Sequence, residues 1–424
     1  MKRSLALLIY SILTSACRPL VPLFLRTRIW RGKEHPARVQ ERVGIASRPR
    51  PPGPIAWMHG ASIGECLSLL PCMDEFVGRG FHVVVTSGSL GSARLLADRL
   101  PDGSFHQFLP LDISQYALRF LVYWRPEIVL VAESEIWPNV FRAIKQRRIP
   151  LVSINARLSE KSFSRWSKAR KAAAEAFGML DLCLAQTNED AARFAGLGAP
   201  DVSVMGNLKF DAKPPPADPA DISSLVGRIG ARPVWAAVST HAGEEEIVAD
   251  AHRALRSRFP TLLTMIAPRH PQRGEAIAQM LARKGLRIAR RSQHAVLGNH
   301  TEIYLADTLG EAGLIYRASM LAFIGRSLTA KGGQNPIEAA KLNCAILHGP
   351  HVGNFREVYA ALDAGEGAVA VADRDALRDA VARLLSDAQA LRSMARNAAH
   401  IAEQQSGATA SVMQAIEPYL ARRA

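Results

Sequence analysis

The residues Trp57-Met-His-Gly-Ala-Ser-Ile-Gly-Glu65 decide how this chain folds. A short apolar run, Ile55 to Met58, reads as a buried strand. Gly60, Ala61, Ser62 and Gly64 keep the following turn free of bulk. Glu65 then opens a helical pattern that carries Leu67, Leu69, Leu70, Met73 and Phe76. Strand, small-residue turn and helix start together mark a ligand site at the carboxyl edge of a parallel sheet. The N–H groups of a helix's first turn favour an anion there. From this stretch alone Glu65 has two readings: an ordinary first-turn carboxylate, or a catalytic base facing a cleft. Gly60-Ala-Ser62-Ile-Gly64 also fits G-x-S-x-G, so a serine nucleophile elbow is a third. Against the elbow, no strand stands upstream to supply the second oxyanion donor, and no His-Gly-Gly-Gly run occurs. The glycines otherwise serve the tight turn.

The same β-then-α unit repeats along the chain. Strands are expected at His82–Ser87, Ile128–Val131, Leu151–Ile154, Leu182–Ala185 and Val202–Met205. Polar clusters follow them: Glu133-Ser-Glu135-Ile-Trp-Pro-Asn139, Asn155-Ala-Arg157 and Gly206-Asn-Leu-Lys209-Phe-Asp211. Lys213-Pro-Pro-Pro-Ala-Asp-Pro-Ala220 can continue neither sheet nor helix and reads as a linker. A second series follows, with strands at Val234–Val238, Leu262–Ile266, Thr301–Ala306, Ser319–Ile324 and Cys344–Leu347. The expected architecture is α/β: two doubly wound domains, residues 31–216 and 217–424, facing a cleft, preceded by an N-terminal segment, residues 1–30.

That N-terminal segment is strongly apolar from Leu5 to Leu25, interrupted by Arg18, Pro19 and Pro22. Basic residues flank it: Lys2 and Arg3 before, then Arg26, Arg28, Arg31 and Lys33 after. A cleaved signal peptide lacks support, because no small-residue cleavage site is followed by an exported-looking segment. A retained membrane anchor is expected, either spanning or lying in the interface, with the basic flank on the cytoplasmic side. The whole chain carries 53 Lys and Arg against 38 Asp and Glu, a formal charge of +15. Such a charge suits an anionic partner. No basic arm or zinc-finger or RNA-recognition signature occurs, so nucleic acid is not the expected one. Cys17, Cys66, Cys72, Cys183 and Cys344 are scattered without a C-x-x-C, which fits a reducing compartment rather than a disulfide framework.

In the second series Gly332, Gly333 and Asn335 precede Pro336, which can sit in a helix's first turn. Backbone N–H groups there suit a phosphate, Glu338 can meet a ribose hydroxyl pair, and Arg269 and His270 can neutralise the phosphate. A Gly-rich loop that merely caps a helix is the plainer alternative. No P-loop, G-x-G-x-x-G or zincin motif is present. Asp373-Arg-Asp375 opens an amphipathic run, so Asp375 is expected as an N-cap and no metal is implied.

Taken in order, His59-Gly-Ala-Ser-Ile-Gly-Glu65, Glu133-Ser-Glu-Ile-Trp-Pro-Asn139, Asn155-Ala-Arg-Leu-Ser159, Gly206-Asn-Leu-Lys-Phe-Asp211, Pro268-Arg-His-Pro271, Asp307-Thr-Leu-Gly-Glu311 and Gly332-Gly-Gln-Asn-Pro-Ile-Glu338 resemble the 3-deoxy-D-manno-oct-2-ulosonic acid (Kdo) transferases of lipid A biosynthesis. The resemblance covers nearly the whole chain. It implies a GT-B-type glycosyltransferase at the cytoplasmic face of the inner membrane, moving Kdo from CMP-Kdo to a lipid A precursor, lipid IVA, without a cofactor. It implies Glu65 as the proton acceptor, and Glu135 and Lys209 as stabilisers of the transition state. It implies CMP binding by Pro268 and Arg269, by Gly310, Glu311 and Ala312, and by Asn335, Pro336, Ile337 and Glu338. Arg326 and Gln334 depart from the family's common Gly and His. The chemistry is coherent: a carboxylate on the attacking face can act as base in an inverting displacement, and a single phosphate held by an arginine and backbone N–H groups can leave without a metal. Rival readings are a GT-B envelope enzyme using a UDP-sugar, a serine hydrolase built on Ser62, and a non-enzymatic protein that binds anionic membrane.

Overall fold

The computed structural model describes residues 4–97, 99–329 and 332–421. It divides into two compact units, Met1–Ala212 with Ser406–Ala424, and Lys213–Gln405.

The first unit holds a parallel sheet of seven strands: β1 (Ile55–His59), β2 (His82–Ser87), β3 (Ser104–Phe108), β4 (Ile128–Ala132), β5 (Leu151–Ala156), β6 (Leu182–Ala185) and β7 (Val202–Val204). Their order is β3-β2-β1-β4-β5-β6-β7. The central strands are apolar on both faces because helices cover both. Trp57, on one face of β1, packs on Phe120, while Ala56 and Met58 on the other pack with Met73 and Phe76. β3 was not expected, since Ser-Phe-His-Gln-Phe lacks a strand's apolar signature. Two of its polar side chains find tertiary partners: Gln107 Oε1 accepts from Trp124 Nε1 (2.9 Å), and His106 Nε2 meets Ser87 Oγ (2.8 Å).

The second unit repeats the plan with β8 (Val234–Thr240), β9 (Leu263–Pro268), β10 (Ile288–Arg290), β11 (Ile303–Leu305), β12 (Leu321–Ile324), β13 (Ala345–His348) and β14 (Ala368–Ala370). Its order is β10-β11-β9-β8-β12-β13-β14, again all parallel. The three-residue strands β10 and β14 also escaped sequence reading, being too short to show a period.

Three expectations need correction. Residues 217–424 are not one domain, because the helix Ala408–Ala421 belongs to the first unit. Asp211 caps that helix, accepting from Gly407 N (2.6 Å) and from Thr409 N, and its apolar face (Val412, Met413, Ile416) joins the core around Met73 and Phe76. Residues 1–30 are not a separate segment either. The helices Leu5–Ala16 and Val21–Trp30, bent by 43° across the turn Arg18–Leu20, pack on the first unit. Ser4 N donates to Glu175 (2.5 Å), Tyr10 OH to Asp112 (2.9 Å), and Leu7, Val21 and Leu25 are buried. Among the described residues no single helix is long and apolar enough to cross a membrane. Lastly, Asp373 rather than Asp375 caps the helix Arg374–Ser386, accepting from Ala376 N at 2.9 Å.

Candidate active site

In the first unit the strand order reverses between β1 and β4, so the carboxyl ends of these strands form the switch point where open α/β sheets bind ligands. Past β1 the chain turns on Gly60, where an added Cβ would lie 3.0 Å from Cys66 N and 3.1 Å from Glu65 Cβ. Ser62 caps the helix Ile63–Ser68: its Oγ accepts from Glu65 N (3.2 Å), while Glu65 Oε2 accepts from Ala61 N (2.9 Å). This is a capping box shifted by one residue. The first-turn reading of Glu65 is therefore real, and it coexists with a perturbed carboxyl. Loss of solvent pushes the Glu65 carboxyl above its usual range, the negative field of Glu133 and Glu135 adds to that, and the bonds from Ser62 and Ala61 offset part of it. Ser62 has ordinary extended backbone (φ −107°, ψ 165°), unlike the strained residue of a nucleophile elbow.

Past β4, Glu133 is held at φ 54°, in the left-handed region that disfavours side chains. Its N–H donates to Ile154 O (3.0 Å), and its Oε1 accepts from Lys209 Nζ (2.8 Å). Glu135 Oε2 lies 3.7 Å from His59 Nε2. Lys209 is delivered by local chemistry. Asn155, at φ 51° where the β5–β6 register slips, accepts Leu208 N on its Oδ1 (3.0 Å), and Asn207 Oδ1 accepts Lys209 N (3.0 Å). Buried Leu208 and Phe210 pin the 3₁₀ turn Leu208–Asp211. The structure thus gathers Glu65, Glu133, Glu135 and Lys209 at one sheet edge, and gives Lys209's ion pair to Glu133. Sequence reasoning quoted Glu133 but gave it no role. The available signal was its position directly after an apolar strand.

In the second unit the reversal falls between β8 and β12. Glu244, fully buried, accepts from His241 N (2.9 Å), Arg326 N (2.7 Å), Ser327 N (2.9 Å) and Leu328 N (3.0 Å). One carboxylate so joins the loops after β8 and β12, a role not read from the sequence. Gly325 makes this closeness possible: a Cβ there would meet Ser239 O at 2.5 Å. The loop continues through Gly332 (φ 130°) and Gly333 (φ 72°), and Gly333 N bonds Arg326 O (2.9 Å). The helix that follows, Ile337–Lys341, has only five residues, and Asn335 Oδ1 takes the Ile337 N–H (3.1 Å). That N–H, expected to face a phosphate, is occupied, because the side chain before the proline reaches it first.

Pro268 ends β9, and Arg269 and His270 stand exposed just beyond it. The His270 ring meets His241 edge-on at 5.6 Å. Burial lowers the proton affinity of His241, and the nearby charge of Arg326 adds to that. Gly310 turns at φ 84°, and Glu311, just before the helix Ala312–Ala318, is held by Arg291 (3.2 Å) and by Thr308. Glu338 lies near enough to buried Tyr316 to raise its hydroxyl further. All these residues lie past the carboxyl ends of strands, with basic groups (Arg269, Arg326) and imidazoles gathered where an anion can be met.

Two doubly wound parallel-sheet units in one chain, each with its polar residues at the switch point, define the GT-B class. The N. meningitidis UDP-GlcNAc 2-epimerase structure bound to UDP-GlcNAc shares this fold: its TM-score is 0.56 at 14% identity, covering 85% of this chain and 98% of that one. The sequence profile described as 3-Deoxy-D-manno-octulosonic-acid transferase (kdotransferase) matches residues 37–212. The 3-deoxy-D-manno-octulosonic acid transferase of Haemophilus influenzae is 33% identical over 423 residues, 97% of this chain and 98% of its own length. That of Bordetella pertussis is 33% identical over 425 residues, 97% and 99% of the two chains. The chain belongs to the 3-deoxy-D-manno-octulosonic acid transferase family, and it is a glycosyltransferase enzyme.

Proposed function

We propose that this enzyme transfers Kdo from CMP-Kdo to the lipid A precursor lipid IVA, with inversion, at the cytoplasmic face of the inner membrane. The observation that carries the chemistry is Glu65: a carboxyl raised by burial and by Glu133 and Glu135, at the switch point of the first unit. A base needs its proton affinity brought towards working pH. Glu65 takes the proton of the acceptor's sugar hydroxyl as that oxygen attacks the anomeric carbon of Kdo. The anomeric carbon gains positive character as CMP departs. Glu135 faces that charge, and Lys209, fixed by Glu133, balances the carboxylates around it. The second unit holds CMP. Arg269 meets the phosphate, and Pro268, Gly310, Glu311, Ala312, Asn335, Pro336, Ile337 and Glu338 frame the nucleotide. Glu244 keeps the loops after β8 and β12 in register for it.

The membrane assignment rests on the outer face of the N-terminal helix pair. Leu20 and Leu23 are 63% and 64% exposed and Trp30 is 86% exposed, next to Arg18, Arg26, Arg31 and Lys33. An apolar face ringed by cations suits an anionic bilayer surface, lying in the interface rather than spanning it. Incubation with CMP-Kdo and a tetraacyl lipid A precursor, read by mass spectrometry, tests the function. Product heavier by one or more Kdo residues is the expected result. Unchanged precursor, with transfer from a UDP-sugar instead, would replace it with the rival GT-B reading.

A further inference from the structure

His59 ends β1 and is buried, with 1% of its surface exposed. Its Nδ1 lies 3.0 Å from Thr86 O and 2.9 Å from Thr86 Oγ1. The carbonyl can only accept. The Thr86 hydroxyl accepts from Trp57 Nε1 (2.8 Å) and points its own proton at Met58 O (3.4 Å). Nδ1 therefore carries a hydrogen, and the tautomer is fixed by its neighbours. The neutral ring would then present a bare lone pair at Nε2. Nε2 has no hydrogen-bond partner and is closed to solvent, and the charged atom near it is Glu135 Oε2 at 3.7 Å. A lone pair aimed at a carboxylate oxygen in a closed space is repulsive, and an unmatched buried polar atom calls for a physical cause. A sugar hydroxyl cannot fill the gap, because Nε2 is closed even to a water molecule. A proton can.

We propose that His59 is a positioning residue for the transfer: with Nδ1–H held on Thr86, its Nε2 shares a proton with Glu135 Oε2 and so leaves Oε1 as the oxygen that meets the reacting sugars. From 3.7 Å, a shift of about 1 Å brings the two atoms to the distance of a charge-assisted hydrogen bond. The Trp137 ring, edge-on to His59 at 6.3 Å, closes the other side. The charged and titratable groups facing this corner are Glu133 and Glu135 from the loop after β4, Lys209 on Glu133, and Glu65 and Cys66 from the helix after β1. The shared proton has a consequence for the base. It weakens, without abolishing, the negative field of Glu135, one part of what holds a proton on Glu65. Removing it makes Glu65 harder to ionise.

The inference rests on reading Glu135 as serving the transfer, and the test separates the two. In the full-length wild-type enzyme, ¹⁵N NMR of the histidine rings at neutral pH is expected to show protons on both nitrogens of His59, and the Nε2 proton to be lost in Glu135→Gln. His59→Asn keeps a donor towards Thr86 and loses Nε2. It is expected to lower kcat by about 10²-fold, the effect of a misplaced reacting group, with KM for CMP-Kdo unchanged and the acidic limb of the rate profile moved to higher pH. His59→Gln restores a neutral donor towards Glu135. It is expected to recover kcat on the alkaline plateau while keeping the shifted limb. A bare Nε2 in the wild type overturns the proposal. So do equal losses in both variants that track a lowered melting temperature with an unmoved limb. Full turnover in Glu135→Gln would sink the reading of Glu135 itself. Full turnover in both His59 variants beside an impaired Glu135→Gln would sink only the inference about His59.

Discussion

Glu65→Gln separates chemistry from capping at a residue that does both. The glutamine keeps an amide oxygen for the Ala61 N–H and leaves the Ser62 cap intact. It cannot accept a proton, so turnover is expected to fall by about 10²–10⁴-fold, or about 3–5 kcal/mol of barrier. The melting temperature moves the other way. The Glu65 carboxyl is raised in the folded chain, so its ionisation opposes folding. Its stabilising effect is present below the unfolded-state value and is lost as pH rises through the folded one. At neutral pH and above, Glu65→Gln removes a charge repelled by Glu133 and Glu135, and the variant melts at or above the wild type. The raised carboxyl also places the acidic limb of kcat/KM above the ordinary glutamate range, and the glutamine variant loses that limb. Steady-state rates from pH 5 to 9 and a melting curve on this variant decide the matter. A cap without catalytic work predicts near-normal turnover and a loss of about 0.3–1 kcal/mol at the helix start, seen as a fall of about 1–4 °C. That pair of results would refute the reasoning and leave Glu135 as the next carboxylate to test.

Arg269→Ala loses one charge-assisted contact with the donor phosphate, costing about 1.5–3 kcal/mol; calorimetry with CMP is expected to show affinity lower by about 10–150-fold, with fold and acceptor affinity unchanged. Gly325→Ala drives a Cβ to within 2.5 Å of Ser239 O and 2.6 Å of Thr240 Cα, backbone that cannot step aside. A loss of about 1–3 kcal/mol in stability is expected, together with weaker CMP binding, and an unchanged melting curve would mean that the two loops are not coupled. Leu20→Glu with Leu23→Glu alters only exposed side chains, so stability stays within about 0.5 kcal/mol. Binding to vesicles of anionic lipid, read by co-sedimentation, is expected to fall by about 10²–10⁴-fold, since burying a leucine contributes about 1.5–3 kcal/mol. Undiminished binding would move the membrane contact away from the helix pair.

What the sequence determined by itself is what period and local chemistry encode. The runs Ile55–Met58, Val83–Val85, Ile128–Ala132 and Leu182–Ala185 are apolar without alternation because helices cover both faces of a parallel sheet, and that pattern is visible residue by residue. Glu65, Glu135, Lys209, Arg269 and Glu311 each lie within about six positions of a strand's carboxyl end, so these candidates could be picked out before any fold was known. Tertiary structure alone decided who meets whom. Lys209 pairs with Glu133 across 76 residues because β4 lies beside β5, whose Asn155 anchors the turn that carries the lysine. Glu65 has its proton affinity raised because the reversal of strand order sets β1 beside β4, and so brings Glu133 and Glu135 to it. Glu244 reads as one of three glutamates opening a helix until β12 falls next to β8 and three N–H groups of its loop turn to that carboxylate. The strand Ser104–Phe108 and the return of Ala408–Ala421 to the first unit were hidden for the same reason. Their stability comes from Trp124, Ser87 and Asp211, distant in sequence, and a local pattern carries no trace of a partner that only the folded chain supplies.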